Sequence, residues 1–277
     1  MKNLTVIQLV KKYGVRPKKP LGQNFLMDQN LMDKLIDALE LYPDEDVLEI
    51  GSGLGVFSKR VAAQAQRVVA IEKDKRLFEI ASEQFEDQKN LKFILDDFLK
   101  LDLQALTKKL ELPLKVIGNI PYYISSPILF KLLDNKSLFD VAVLTVQKEV
   151  AKRIIAEPDS KDYGILSILV QAQAEVEILF DLEGGAFYPP PEITSSAIKI
   201  TFAKRPLYPL RDFPFFKKVV KTAFNQRRKT IKNTLKILLK NNKIKPWEPC
   251  EIDPESRPEQ LSIAQYVTLA NFLHSLL

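Results

Sequence analysis

Apolar residues along this chain follow two periods. Short, nearly unbroken runs at residues 46–50, 67–71, 91–95, 115–118, 141–146, 176–182 and 197–202 read as seven strands. Helical stripes separate the earlier ones. Asp28 is placed to cap a helix whose Leu31, Leu35, Ile36 and Leu39 share one face. A second amphipathic helix runs to about Gln64, a third follows Ser125-Ser126-Pro127 with proline in its first turn, and a fourth covers residues 148–156. A break at Pro158-Asp159-Ser160 leads to an apolar segment, 165–170. Strands alternating with helices predict an α/β fold on an open sheet.

After the last strand the pattern turns wholly helical, over 214–225, 228–241 and 259–276, interrupted by Asn242, Pro246, Pro249 and Pro254. Ile231, Leu235 and Leu238 or Leu239 repeat at helical spacing, with Lys229, Lys232, Lys236 and Lys240 on a neighbouring face. Proline and turn residues over 205–214 mark a domain boundary. At the other end, Pro17, Pro20 and Gly22 argue for an irregular segment. Three parts are expected: a basic N-terminal segment (1–27), a sheet domain (28–204) and a smaller helical domain (205–277).

Composition narrows the chemistry. With 277 residues the chain has room for two domains. One cysteine, Cys250, excludes a disulfide framework. One histidine, His274, leaves no His/Cys metal site to expect, and a Ser-His-Asp relay would have to use it from a plain helix. No apolar run reaches the roughly 18 residues that span a bilayer. The run over 4–10 is short, contains Thr5 and Gln8 and lacks a cleavage site, so the expected compartment is the cytoplasm.

Charge is unevenly placed. Residues 205–277 carry 14 Lys and Arg against 6 Asp and Glu, whereas residues 1–204 carry 27 against 29. Between 213 and 245 there are 11 basic residues and no acid, and residues 1–27 hold six more with none. Two basic segments flanking a near-neutral body point to a polyanion, although a lysine-rich solvated helix gives the same count.

Gly51-Ser52-Gly53-Leu54-Gly55 lies between a strand and a helix, the order a nucleotide-binding turn requires. Glu72 ends the second strand, 21 residues after Gly51, where a carboxylate can accept both ribose hydroxyls. The Gly-x-Gly-x-Gly spacing, preceded by Glu49, suits a ligand with ribose and no phosphate, S-adenosylmethionine, and also suits a plain tight turn. Asp96-Asp97 ends the third strand; either carboxylate can accept a hydrogen bond from an adenine amine or cap the next helix.

Asn119-Ile120-Pro121-Tyr122 follows the fourth strand, at the edge where open α/β sheets bind ligands. An amide oxygen, a carbonyl released by the proline and an aromatic plate suit a planar ring with an exocyclic amine. Phe187, ahead of Pro189-Pro190-Pro191, is a candidate second plate; the loop fits equally a hairpin whose aromatic residues pack on the core.

These stretches, with Leu21-Gly22-Gln23-Asn24-Phe25-Leu26 before them and Ser195 and Phe224-Asn225-Gln226-Arg227-Arg228-Lys229 after, come in the order found in the ribosomal RNA adenine dimethyltransferases. The chain resembles the branch that dimethylates two adjacent adenosines near the 3′ end of small-subunit ribosomal RNA. The resemblance implies a Rossmann-like S-adenosylmethionine-dependent methyltransferase sheet of seven strands, the last antiparallel, with S-adenosylhomocysteine as product. It implies a cofactor site of Asn24, Leu26, Gly51, Glu72, Asp97 and Asn119. The expected catalytic set is Asn119, Ile120, Pro121, Tyr122 and Phe187. RNA phosphates would meet Arg227, Arg228, Lys229, Lys232 and Lys236. The implied partner is small-subunit ribosomal RNA within an immature subunit, met by a monomer. Ile120 stands where the family commonly has leucine or proline, a mild departure because the backbone carbonyl acts there. A methyltransferase of large-subunit RNA, a non-catalytic RNA-binding assembly factor and a DNA adenine methyltransferase are the other readings of these residues.

Overall fold

The computed structural model describes residues 4–108, 110–205, 207–239 and 244–277. Its elements run α1 (Val6–Tyr13), β1 (Phe25–Leu26), α2 (Gln29–Asp37), β2 (Asp46–Ile50), α3 (Val56–Ala62), β3 (Arg67–Glu72), α4 (Lys75–Gln84), β4 (Leu91–Leu95), α5 (Leu103–Thr107), β5 (Leu114–Asn119), α6 (Ser125–Asp134), β6 (Phe139–Gln147) and α7 (Lys148–Ile154). They continue with α8 (Ile165–Gln171), β7 (Ala174–Leu182), β8 (Phe187–Tyr188), β9 (Ser195–Phe202), α9 (Phe213–Phe224), α10 (Ile231–Thr234) and α11 (Ile263–His274). Chain contacts divide it into two units, residues 1–151 with 177–202 and residues 152–176 with 203–277.

The first unit is built on a seven-stranded sheet of order β4-β3-β2-β5-β6-β9-β7. β2, β3, β4, β5 and β6 pair in parallel, and β9 runs antiparallel to β6. The unbroken apolar runs have their cause here: every residue of β2 is buried, and Val116, Ile117, Ala142, Val143 and Leu144 are wholly so. A parallel sheet covered on both faces leaves no polar side to alternate with. The strand order reverses between β2 and β5, which places a crevice at their C-terminal ends.

The N-terminal segment is not irregular throughout. Thr5 and Gln8 form a capping box, Val6, Leu9 and Val10 bury one face of α1, and Gly14 ends the helix at φ +57°. The prolines that argued against helix lie beyond it.

The second unit takes residues 152–176, which the sequence placed in the sheet domain. Helix α8 packs on α9, and the wholly buried Tyr163 donates its hydroxyl to the Leu261 carbonyl at 3.0 Å. Asp212 caps α9, whose Phe216, Val219, Val220 and Ala223 are buried. The helix expected over 228–241 is only α10 among the described residues; Gln226 to Lys229 form a turn, and Lys240 and Asn242 lie outside the described residues. α11 begins at Ile263, where Ser262 supplies a capping box, rather than at 259.

Candidate active site

At the C-terminal ends of β2, β3, β4 and β5 the first unit holds a cleft of about 740 Å³, including its open mouth. Asn24, Gly51, Gly53, Glu72, Lys73, Asp96, Asp97, Asn119, Pro121 and Tyr123 contribute to its wall.

Backbone geometry sets the glycine loop. The Gly51 and Ser52 N–H groups both donate to the Ile71 carbonyl, at 2.9 and 3.1 Å, folding the loop over the end of β3. Gly53 sits at φ +55°, and a Cβ there would lie 3.2 Å from the Phe25 ring. This conformation lets the Gly53 N–H donate to Glu72 Oε2 at 2.8 Å. Glu72 Oε1 accepts the Asp74 N–H at 2.7 Å. Each carboxylate oxygen keeps acceptor capacity for a ligand. Burial raises the Glu72 carboxyl above the usual range, against the pull of those N–H groups.

Asp74 ties the N-terminal segment to this wall. It caps α4 and accepts Gln23 Nε2 at 3.1 Å, with Lys18 Nζ 2.7 Å away. Asp97 stands across the cleft, its Oδ1 on the Leu99 N–H at 3.0 Å and its Oδ2 2.9 Å from Lys73 Nζ. Partial burial pushes its carboxyl up, but Lys73 and the Leu99 N–H outweigh that and hold it below the usual range. Asp96 accepts the Asp97 N–H at 2.7 Å, and both residues line the cleft.

Asn119 closes β5. Its Nδ2 donates to the Asn24 carbonyl at 2.7 Å, and its Oδ1 accepts the Thr145 hydroxyl at 2.6 Å. The next residue, Ile120, buries its side chain, and its carbonyl accepts no hydrogen bond from the described residues. Beyond Pro121, the Tyr122 hydroxyl pairs with Ser195 Oγ. Burial raises the Tyr122 phenol, and Ser195 opposes the shift.

The cleft therefore unites Asn24, Gly51, Glu72, Asp97, Asn119 and Pro121. Leu26 lines a smaller adjoining cavity, with Glu49, Ser52 and Asn119 in its wall. Tyr122 turns from the main cleft toward Ser195. Phe187 is a correction: it is 1% exposed, pairs with Leu26 across the β1–β8 ribbon and belongs to the core. The ring is buried rather than presented as a plate, as in a hairpin whose aromatic residues pack on the core.

Glu49, ahead of the glycine loop, is 1% exposed. Its Oε2 has no hydrogen-bond partner among the described residues. Burial pushes its carboxyl up to about 7, with Ser58 opposing and Glu72 adding to the rise. Thr145, Lys73 and the hold of the Asn24 carbonyl on the Asn119 amide escaped the sequence reading. Thr145 alone left a trace, as a lone hydroxyl in an apolar strand.

In the second unit the basic residues differ in their engagements. Arg227 donates to the Ser160 carbonyl at 3.3 Å and lies 3.7 Å from Glu259, and Lys232 pairs with Glu255. Arg228, Lys229 and Lys236 are exposed.

The family model described as ribosomal RNA adenine dimethylase matches residues 14–275. Ribosomal RNA small subunit methyltransferase A of Caldanaerobacter subterraneus subsp. tengcongensis is 40% identical over 267 residues, 95% of this chain and 99% of that protein. A dimethyladenosine transferase from Plasmodium falciparum superposes with a TM-score of 0.76 at 25% identity, covering 91% of this chain and 98% of that one. The 23S rRNA methyltransferase ErmE reaches 0.66 at 23% identity, over 91% of this chain and 100% of its own, a likeness of fold alone.

Proposed function

The chain belongs to the ribosomal RNA adenine dimethylase family, and from that premise we propose that it dimethylates the N6 amines of two adjacent adenosines in the 3′-terminal hairpin of small-subunit ribosomal RNA. S-adenosylmethionine supplies an electrophilic methyl group and departs as S-adenosylhomocysteine. The residues of the cleft suit that cofactor. Glu72 has buried oxygens with spare acceptor capacity for ribose hydroxyls. Asp97 offers acceptors for an adenine amine, and Gly51 admits the methionine portion close to the backbone.

One observation carries the catalytic reading. Asn119 Oδ1 and the Ile120 carbonyl are consecutive acceptors at the tip of β5, and the carbonyl has no partner among the described residues. An adenine amine is a poor nucleophile because its lone pair is delocalised into the ring. Accepting both amine protons at these two oxygens favours a more tetrahedral nitrogen with its lone pair free to attack. The nitrogen–carbon bond forms as the carbon–sulfur bond breaks, and the extra proton leaves to water. Positioning and fixed dipoles supply the acceleration, and no titrating base is needed. After the first transfer the nitrogen rotates to offer its remaining proton. Tyr122, oriented by Ser195, stacks on a base turned out of the RNA, a contact of ~1–3 kcal/mol.

Arg228, Lys229 and Lys236 bind phosphates, setting register without reading bases. The substrate is the RNA of an immature small subunit, methylated by a cytoplasmic monomer. The test is transfer of labelled methyl to undermethylated small subunits, followed by mapping of the modified nucleotides. Two adjacent N6,N6-dimethyladenosines near the 3′ end are expected. Label in large-subunit RNA alone, or none above background, defeats the proposal.

A further inference from the structure

The side chain on which the proposed reaction depends does not hold itself. Asn119 is an amide, whose two ends look alike in shape and differ only in what they can bond. Its orientation is decided by its neighbours. The Asn24 carbonyl, 2.7 Å from Nδ2, can only accept, so the nitrogen must face it. The oxygen then faces Thr145, whose hydroxyl donates to it at 2.6 Å. With the opposite orientation two oxygens would meet at Asn24 and the Thr145 hydroxyl would have to accept from the amide.

Thr145 is built into the sheet at this position. It is wholly buried on β6, in parallel register with Asn119 on β5, so the two side chains stand on one face. On its other side it lies opposite Ala197 of β9, a residue too small to compete for the hydroxyl and without a polar side-chain atom. A β-branched side chain in a strand has few rotamers open to it, so its hydroxyl is a rigid donor. A carbonyl oxygen has two acceptor sites. Thr145 takes one and leaves the other for an amine.

We propose that Thr145 is a positioning residue for methyl transfer: its hydroxyl fixes the Asn119 amide oxygen so that the remaining acceptor site stays directed at the target amine. This rests on the proposed function. Thr145 touches neither substrate nor cofactor and acts only through Asn119. Its contribution is therefore to the rate of the chemical step and not to binding.

The test compares Thr145→Val, which keeps the branched shape and removes the donor, with Thr145→Ser, which keeps the donor and removes a methyl. Single-turnover methyl transfer to undermethylated small subunits is measured at varied subunit and cofactor concentration, beside Asn119→Ala and the unaltered protein. Thr145→Val should lower the maximal rate about tenfold, the equivalent of one neutral hydrogen bond, with both half-saturation concentrations within twofold. Thr145→Ser should stay within about threefold of the unaltered rate. A Thr145→Val rate equal to the unaltered one, or a Thr145→Ser rate as low as that of Thr145→Val, overturns the proposal. The second result would show that strand packing is what matters. If Asn119→Ala also turns over normally, the catalytic reading itself fails; if Asn119→Ala is inactive and Thr145→Val is normal, only the positioning role does. Should Thr145→Val unfold, the Thr145→Ser rate still decides between hydroxyl and packing.

Discussion

Gly53 and Glu72 are joined by a 2.8 Å hydrogen bond from the glycine N–H to the carboxylate, so the loop after β2 and the acid ending β3 form one wall. The cofactor's ribose is expected against this wall. Glu72→Gln puts an amide where two backbone N–H groups now find acceptors, and one of them then faces another donor. Cofactor affinity should fall ten- to a hundredfold, the range for a charge-assisted hydrogen bond, while RNA affinity is unchanged. Calorimetric titration of each ligand checks this, and an unaltered cofactor affinity would remove Glu72 from the site.

Glu49 makes stability depend on pH. Its carboxyl is raised from an ordinary 4.5 to about 7 by burial. The folded chain therefore keeps a proton that the unfolded chain releases. Its contribution is fully present below about 4.5 and is lost as pH rises through about 7. The full span is worth ~3 kcal/mol. Glu49→Gln, which cannot ionise, should flatten this slope. The comparison is urea unfolding of both proteins at pH 5 and pH 8. The variant should gain on the unaltered protein at the higher pH, and parallel behaviour would mean that Glu49 is solvated.

The strands and the residues ending them were legible because a parallel sheet buried on both faces writes itself as unbroken apolar runs. Cleft-lining residues follow directly at the strand ends, as with Glu72, Asp97 and Asn119. What stayed hidden depends on partners far apart in sequence. Phe187 could be an exposed plate or a core ring; its pairing with Leu26, on a ribbon closed by distant segments, decides. Residues 152–176 read as a continuation of the sheet domain, yet Tyr163 anchors to Leu261. Helix α1 was missed because Pro17, Pro20 and Gly22 coloured the whole segment, although Thr5 and Gln8 carry a local capping signal. Arg227 and Arg228 are adjacent and alike in sequence, and only the folded chain separates them.

That separation gives a third prediction. Arg227 is held by the Ser160 carbonyl and Glu259, whereas Arg228 and Lys229 are exposed. Arg228→Ala with Lys229→Ala should weaken RNA binding and make the salt dependence of log K shallower by about 1–2, with turnover at saturation kept. Arg227→Ala should instead cost about 1 kcal/mol of stability, discounted for the partial exposure of its ion pair. Salt-series binding and thermal melts separate the two effects. Equal salt slopes before and after the double change would refute phosphate contact at this turn.

The deciding substitution is Asn119→Ala. It removes the amide oxygen that the Thr145 hydroxyl holds, and the Nδ2 bond to the Asn24 carbonyl that steadies the segment before β1. The Ile120 carbonyl remains, so one amine proton can still be accepted and some activity should persist. Loss of a preorganised group of this kind typically lowers kcat by about 10²–10³. RNA affinity should stay within about twofold, because the residues proposed to bind phosphates belong to the other unit. Cofactor affinity should fall less than kcat, since Asn119 borders that site but Glu72 and Asp97 keep their own partners. Asn119→Asp keeps an acceptor yet loses the donor to Asn24 and sets a carboxylate against that carbonyl, so it should not restore the rate. Methyl transfer near the unaltered rate in either variant would place the chemistry elsewhere in the cleft.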